Sequence, residues 1–96
     1  MTVFDNQVYR IVKSIPKGRV QSYKWVARKI GRPKAYRAVG NALNKNPWPI
    51  IVPCHRVVKS DGSLGGFAKG TGAKLKLLTA EGLTLKKIRD IIKKTK

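Results

Sequence analysis

The sequence predicts a mainly α domain, winged-helix or helix-turn-helix-like in build, with one short extended segment carrying Pro53-Cys54-His55-Arg56. Three observations point to it. Apolar residues recur at helical spacing along most of the chain. Gly31 and Pro33 separate two short helical stretches, the second of them basic and polar on its outer side. A proline-rich stretch then breaks the helical pattern where the only cysteine and the only histidine stand side by side.

Val8, Ile11, Val12 and Ile15 sit at i, i+3, i+4 and i+7, which predicts an amphipathic helix over residues 4–15, with Phe4 extending its apolar face. Pro16-Lys17-Gly18 stops it. Arg19-Val20-Gln21 reads as a short link, and Ser22 as the N-cap of a helix over residues 23–30 that buries Val26, Ala27 and Ile30 and ends at Gly31. Pro33 suits the first turn of a third helix over residues 33–45. Ala35, Ala38, Val39 and Ala42 make its core face. Arg37, Gly40, Asn41 and Asn44 make the opposite stripe, which reads either as a solvated surface or as a recognition face. Gly40 costs about 1 kcal/mol relative to Ala inside a helix, so a close backbone approach is a reason for it to be there.

Between Asn46 and Val58, Pro47, Pro49 and Pro53 fix φ and remove donors, so no helix forms. Ile50-Ile51-Val52 reads as a buried extended run delivering Cys54 onto a stiff turn. A lone cysteine is often a small buried hydrophobe. Here His55 and Arg56 favour thiolate, the nucleophilic form. Successive side chains on an extended backbone diverge, so His55 needs a tight turn or a bridging water to reach the sulfur.

Asp61-Gly62 marks a turn. The stretch from Leu64 to Gly72 is glycine-rich but lacks the Gly-Lys-Ser/Thr ending of a phosphate loop. It reads as a flexible loop or as backbone lining a pocket. A fourth helix starts near Ala73, with Leu75, Leu77 and Leu78 apolar, and ends at Glu81-Gly82. Residues 85–92 form a basic amphipathic helix, with Leu85, Ile88, Ile91 and Ile92 on its apolar side. The division expected is a functional domain over residues 1–82 and a basic C-terminal helix or tail over residues 83–96.

Twenty-two Lys and Arg against Asp5, Asp61, Glu81 and Asp90 give a formal charge of +18. Such a field attracts polyanions through counterion release. Ninety-six residues suit one domain with a modest core. No apolar run approaches the roughly 20 residues of a membrane span, and the N-terminus has no signal-peptide pattern. A single cysteine excludes an intrachain disulfide, and with one histidine it falls short of the four ligands of a structural zinc site. A working free thiol suits a reducing, intracellular compartment, prokaryotic cytoplasm or nucleus.

Pro53-Cys54-His55-Arg56-Val57, preceded by Asn46-Pro47 and the apolar run, resembles the active-site signature of the O6-alkylguanine-DNA alkyltransferases. The likeness extends from about Phe4 to Gly82 and corresponds to the C-terminal catalytic and DNA-binding domain standing alone. The resemblance implies irreversible, single-turnover transfer of an alkyl group from O6 of guanine in double-stranded DNA to Cys54, by a monomer, without metal or cofactor. It implies that His55 takes the thiol proton through a water, that Glu81 orients the imidazole, and that Tyr23 acts at guanine N3. From the residues alone, Glu81 reads first as a surface acid at a helix end, and Tyr23 equally as a half-buried helix tyrosine.

By the same likeness, the third helix enters the minor groove, with Tyr36, Arg37, Gly40, Asn41 and Asn44 on the DNA and Arg37 filling the gap left by the flipped nucleotide. Asn46 supports the active-site turn, and the backbones of Cys54 and Val57 hold the exocyclic amine. Phe67 stands where the family usually has Tyr, Ala68 where some members have Ser, and Asn41 where Gly is frequent. Three other readings compete: an alkyltransferase-like protein that binds damaged DNA without repairing it, a helix-turn-helix regulator with an inert cysteine, and a cysteine hydrolase. Small size and high charge count against the last.

Overall fold

Thr2 opens the first helix, α1 (Val3–Lys13), with a reciprocal cap. The Asp5 N–H donates to Thr2 Oγ1 at 3.0 Å, and the Thr2 N–H donates to Asp5 Oδ2 at 3.2 Å. That capping box starts α1 before the expected residue 4. The helix ends at Lys13, so Ile15 is buried from the following turn rather than from the helix. The computed structural model describes residues 2–48, 51–66 and 70–95.

Strand β1 (Gln21–Ser22) leads directly into α2 (Tyr23–Ile30). Ser22 Oγ accepts the Trp25 N–H at 3.0 Å, and Gly31, at φ +88°, closes the helix. Helix α3 is Tyr36–Asn44, shorter than the expected 33–45. The Arg32 N–H donates back to Ala27 O and the Ala35 N–H to Arg32 O, so Pro33 belongs to the connecting turn. The rotation of α3 also departs from expectation. Val39, Ala42 and Leu43 are buried, Ala38 is exposed and Ala35 only half-buried. The α1 helix packs across both α2 and α3, and Tyr9 Oη donates to Ala42 O at 2.7 Å.

After the proline-rich stretch, β2 (Val57–Val58) pairs in parallel with β1, Gln21 opposite Val57 and Ser22 opposite Val58. Successive residues of a strand face opposite ways. Val57 therefore joins the core of α1, α2 and α3, while Val58 joins a second core with Val20, Leu78 and Ile88. Helix α4 (Thr71–Ala80) and helix α5 (Leu85–Thr95) close that second core. Of the leucines assigned to the apolar side of α4, Leu78 is buried and Leu75 and Leu77 are half-buried. In α5, Ile88 and Ile92 are buried and Leu85 is exposed. Among the described residues no helix is long and apolar enough to cross a membrane.

Candidate active site

Asn46 builds the approach to the cysteine. Its Oδ1 accepts the Trp48 N–H at 2.9 Å, and its Nδ2 donates to Val52 O at 3.0 Å. The Val52 N–H closes the loop onto Trp48 O at 2.8 Å. Ile51 and Val52 therefore lie in a turn, not in the buried extended run expected of them. Val52 is buried, but Ile51 is 65 % exposed, and Ile50 lies outside the described residues.

Pro53-Cys54-His55-Arg56 is likewise not extended. Cys54–Arg56 forms one 3-10 turn, because the Arg56 N–H donates to Pro53 O at 2.9 Å and the Val57 N–H to Cys54 O. At three residues per turn, neighbouring side chains diverge by about 120° rather than pointing to opposite faces. A tight turn thus keeps Cys54 and His55 on adjacent sides of one short element, both buried.

Glu81, the C-cap of α4, reaches this turn. Its Oε2 lies 3.0 Å from His55 Nε2 and 2.6 Å from Arg56 Nη2, and its Oε1 accepts Arg56 Nε–H at 3.0 Å. Arg56 Nη1 donates to Ile15 O at 2.9 Å, fixing the guanidinium to the turn that follows α1. Burial favours the protonated carboxyl, but the hydrogen bonds and charges of Arg56 and His55 outweigh it and bring the Glu81 pKa down to about 2. An ionised carboxylate only accepts, so Nε2 of His55 carries the hydrogen and a neutral imidazole keeps its lone pair on Nδ1. That Nδ1 is buried without a protein partner among the described residues.

Lys74 of α4 is the residue that sequence reasoning missed. It is fully buried, and its Nζ donates to Val57 O at 2.6 Å, Gly66 O at 3.3 Å and Tyr23 Oη at 3.5 Å. The ammonium also lies 5.6 Å from the Tyr23 ring centroid. Burial lowers the Lys74 pKa to about 8, with charge at Cys54 opposing. The phenol of Tyr23 is pushed above its ordinary value by burial and then by charge at Cys54. A lysine between Ala73 and Leu75 gives no periodic signal. The only clue was its place at i−4 from Leu78, on the buried side.

Tyr23 is one of the residues lining a cavity of about 720 Å³. Tyr36, Arg37, Gly40, Asn41 and Asn44 of α3 line it on one side, and Lys59, Ser60, Gly65 and Gly66 on the other. The polar stripe of α3 therefore faces a cavity. A Cβ on Gly40 would lie 3.9 Å from the Tyr23 ring, an ordinary contact. Phe67 and Ala68, expected in the pocket wall, lie outside the described residues. No group of three or more His, Cys, Asp or Glu among the described residues is placed to hold a metal ion.

The profile of the family described as "6-O-methylguanine DNA methyltransferase, DNA binding domain" matches residues 3–83. A methylated-DNA–protein-cysteine methyltransferase of Methanosarcina barkeri is 50 % identical over 80 residues, covering 83 % of this chain and 51 % of that protein. Among solved structures, the Mycobacterium tuberculosis OGT in complex with DNA superposes with a TM-score of 0.84 at 44 % identity, over 85 % of this chain and 50 % of that one. S. pombe Atl1, in complex with damaged DNA containing O6-carboxymethylguanine, superposes with a TM-score of 0.79 at 33 % identity, over 88 % of this chain and 80 % of that one. The chain spans about half the length of the curated relatives it matches.

Proposed function

This chain belongs to the 6-O-methylguanine DNA methyltransferase family through its DNA-binding domain, and from that premise we propose that it repairs DNA by moving an alkyl group from O6 of guanine to Cys54. The observation that carries the reading is the Glu81 carboxylate, which grips Arg56 and His55 together beside the cysteine. An inert cysteine in a regulator needs no such base.

The α3 stripe lies along the duplex, and +18 of formal charge draws the phosphates. Arg37 occupies the gap left by the flipped nucleotide, where a flat guanidinium stacks on neighbouring bases. The base enters the cavity against Tyr23. His55 Nδ1 takes the thiol proton through a water, with Glu81 holding the imidazolium that results. The S–C bond forms as the O6–C bond breaks, and the electron pair passes to the guanine. Tyr23 gives a proton at N3 as that charge develops. The Lys74 ammonium stabilises the phenolate left behind. The thioether has no good leaving group and the chain has no second cysteine, so each molecule acts once.

Incubation with a duplex carrying O6-methylguanine is expected to add one methyl group to the peptide containing Cys54, in an amount equal to the protein and no more. An unmodified Cys54 beside a bound lesion, or turnover beyond one equivalent, contradicts the reading.

Lys74→Met is expected to slow the transfer by about 100- to 1,000-fold in a single-turnover assay, the range for loss of one electrostatic donor. Stability should move with pH in a defined sense. A lysine whose folded pKa falls from 10.5 to about 8 costs stability in full below about pH 8, and the cost is relieved as pH rises to 10.5. Thermal melts of the wild type should gain stability over that window through this group, and melts of Lys74→Met should lack that gain.

A further inference from the structure

We propose that α5, which lies beyond the residues the family profile matches, is a second phosphate-binding face that continues the cavity rim and lengthens the protein's footprint on duplex DNA. The inference rests on the reading of the chain as a DNA-binding protein.

At about 100° per residue, Arg89, Lys93, Lys86, Lys94 and Lys87 fall within an arc of roughly 160° on α5. All five are exposed, and Asp90 is the single acid among them. Ile88 and Ile92 on the opposite side are buried with Val20, Val58 and Leu78. The helix is therefore held by its apolar side, and the cationic side is fixed outward.

The direction of that face follows from Gly62. The Gly62 N–H donates to Lys59 O in the turn that carries Lys59 and Ser60, both of which line the large cavity. A Cβ on Gly62 would come 2.9 Å from Arg89 Cγ and 3.4 Å from Arg89 Cα. The cavity rim thus rests directly on α5, and positive side chains run from Lys59 to Arg89 and on along the helix. On the other flank, Lys87 and Lys94 share a groove of about 330 Å³ with Arg19 and Asp90. Eleven residues at 1.5 Å each give a face of about 16 Å, the length of some five base-pair steps. A membrane surface fits less well, since α5 carries no aromatic anchor and Leu85 is its one large exposed apolar side chain.

The test compares the intact protein with a variant carrying Lys86→Gln, Lys87→Gln, Lys93→Gln and Lys94→Gln, using an undamaged duplex over a range of salt. A control of equal charge loss carries Lys13→Gln, Lys17→Gln, Lys29→Gln and Lys76→Gln, none of which lines either cavity. Far-UV circular dichroism checks that both variants remain helical. The slope of log K against log salt is expected to fall by about 2 to 4 in the α5 variant, at roughly 0.9 per phosphate contact. It should fall by clearly less in the control. The loss should be larger on a long duplex than on one just covering the cavity. Equal slopes in the two variants, or an α5 variant impaired only on phosphatidylserine vesicles, overturns the proposal while leaving repair intact. Repair itself fails separately, if the intact protein leaves Cys54 unmodified by O6-methylguanine.

Discussion

Cys54→Ser is expected to abolish alkyl transfer altogether while leaving the affinity for a lesion-bearing duplex within about threefold of the wild type. The substitution removes the polarisable sulfur and puts in its place an alcohol, which the His55 base does not ionise at neutral pH. Serine is close to cysteine in size, so the shape of this buried position changes little. A hydroxyl in the apolar cluster to which Cys54 belongs costs about 1 kcal/mol, which lowers the melting temperature by several degrees without unfolding a domain of this size. Mass spectrometry after single-turnover incubation reads the transfer, and fluorescence anisotropy reads the binding. The two readouts together separate repair from its competitors. A protein that only senses damage, like the non-repairing class, would bind equally well with either residue and show no adduct with cysteine. Loss of binding together with transfer would place Cys54 in the fold instead of the chemistry.

Glu81→Gln is expected to have the next largest effect, on both rate and stability. The amide keeps the shape of the carboxylate but not its charge, and it can present an N–H where His55 Nε2 needs an acceptor. That disturbs the tautomer which leaves Nδ1 free to take a proton. Transfer should slow by about 100- to 10,000-fold, the range of general-base catalysis. On the stability side, burial favours the protonated carboxyl, yet Arg56 and His55 bring its pKa from 4.5 down to about 2. The folded state therefore holds the proton less tightly than the unfolded chain. The stabilisation is complete above pH 4.5 and lost as pH falls through about 2. Its size is roughly 3 kcal/mol. With its side chain only 11 % exposed, Glu81 is little screened. Removing the charge leaves the partly buried Arg56 guanidinium without its counter-ion, although the amide oxygen can still accept one N–H and the bond to Ile15 O is kept. At pH 7 the variant should melt well below the wild type, and the acid-unfolding step between pH 4.5 and 2 should disappear. Equal melting temperatures at pH 7 would mean that the carboxylate contributes nothing to the fold.

How much of this was legible beforehand differs from residue to residue. The bounds of α2 follow from Ser22 and Gly31, because a cap and a left-handed stop are local chemistry written in single residues. The stripe of Arg37, Gly40, Asn41 and Asn44 follows from helical periodicity, and it faces a cavity as one unit. Ala38 was misplaced, since alanine is small enough to be tolerated on either side and carries little directional signal. The three prolines predict an extended run that delivers Cys54 onto a stiff turn, and a turn does hold Cys54–Arg56. Its 3-10 form comes from the N–H groups of Arg56 and Val57, and the approach to it is bent by Asn46 donating to Val52 O, none of which a propensity contains.

By itself the sequence determined the helices, the basic field, and a lone Cys-His pair on a stiff segment. These are properties of neighbours along the chain. Only the tertiary structure decided that Glu81 and Arg56 meet 25 residues apart, that Lys74 is buried against Tyr23 across 51, and that α5 lies under the turn holding Gly62. Those contacts depend on how β1 and β2 pair and which core each valine enters. Burial and charge act through space, and a charged side chain has no sequence signature that tells a solvated surface from a buried site.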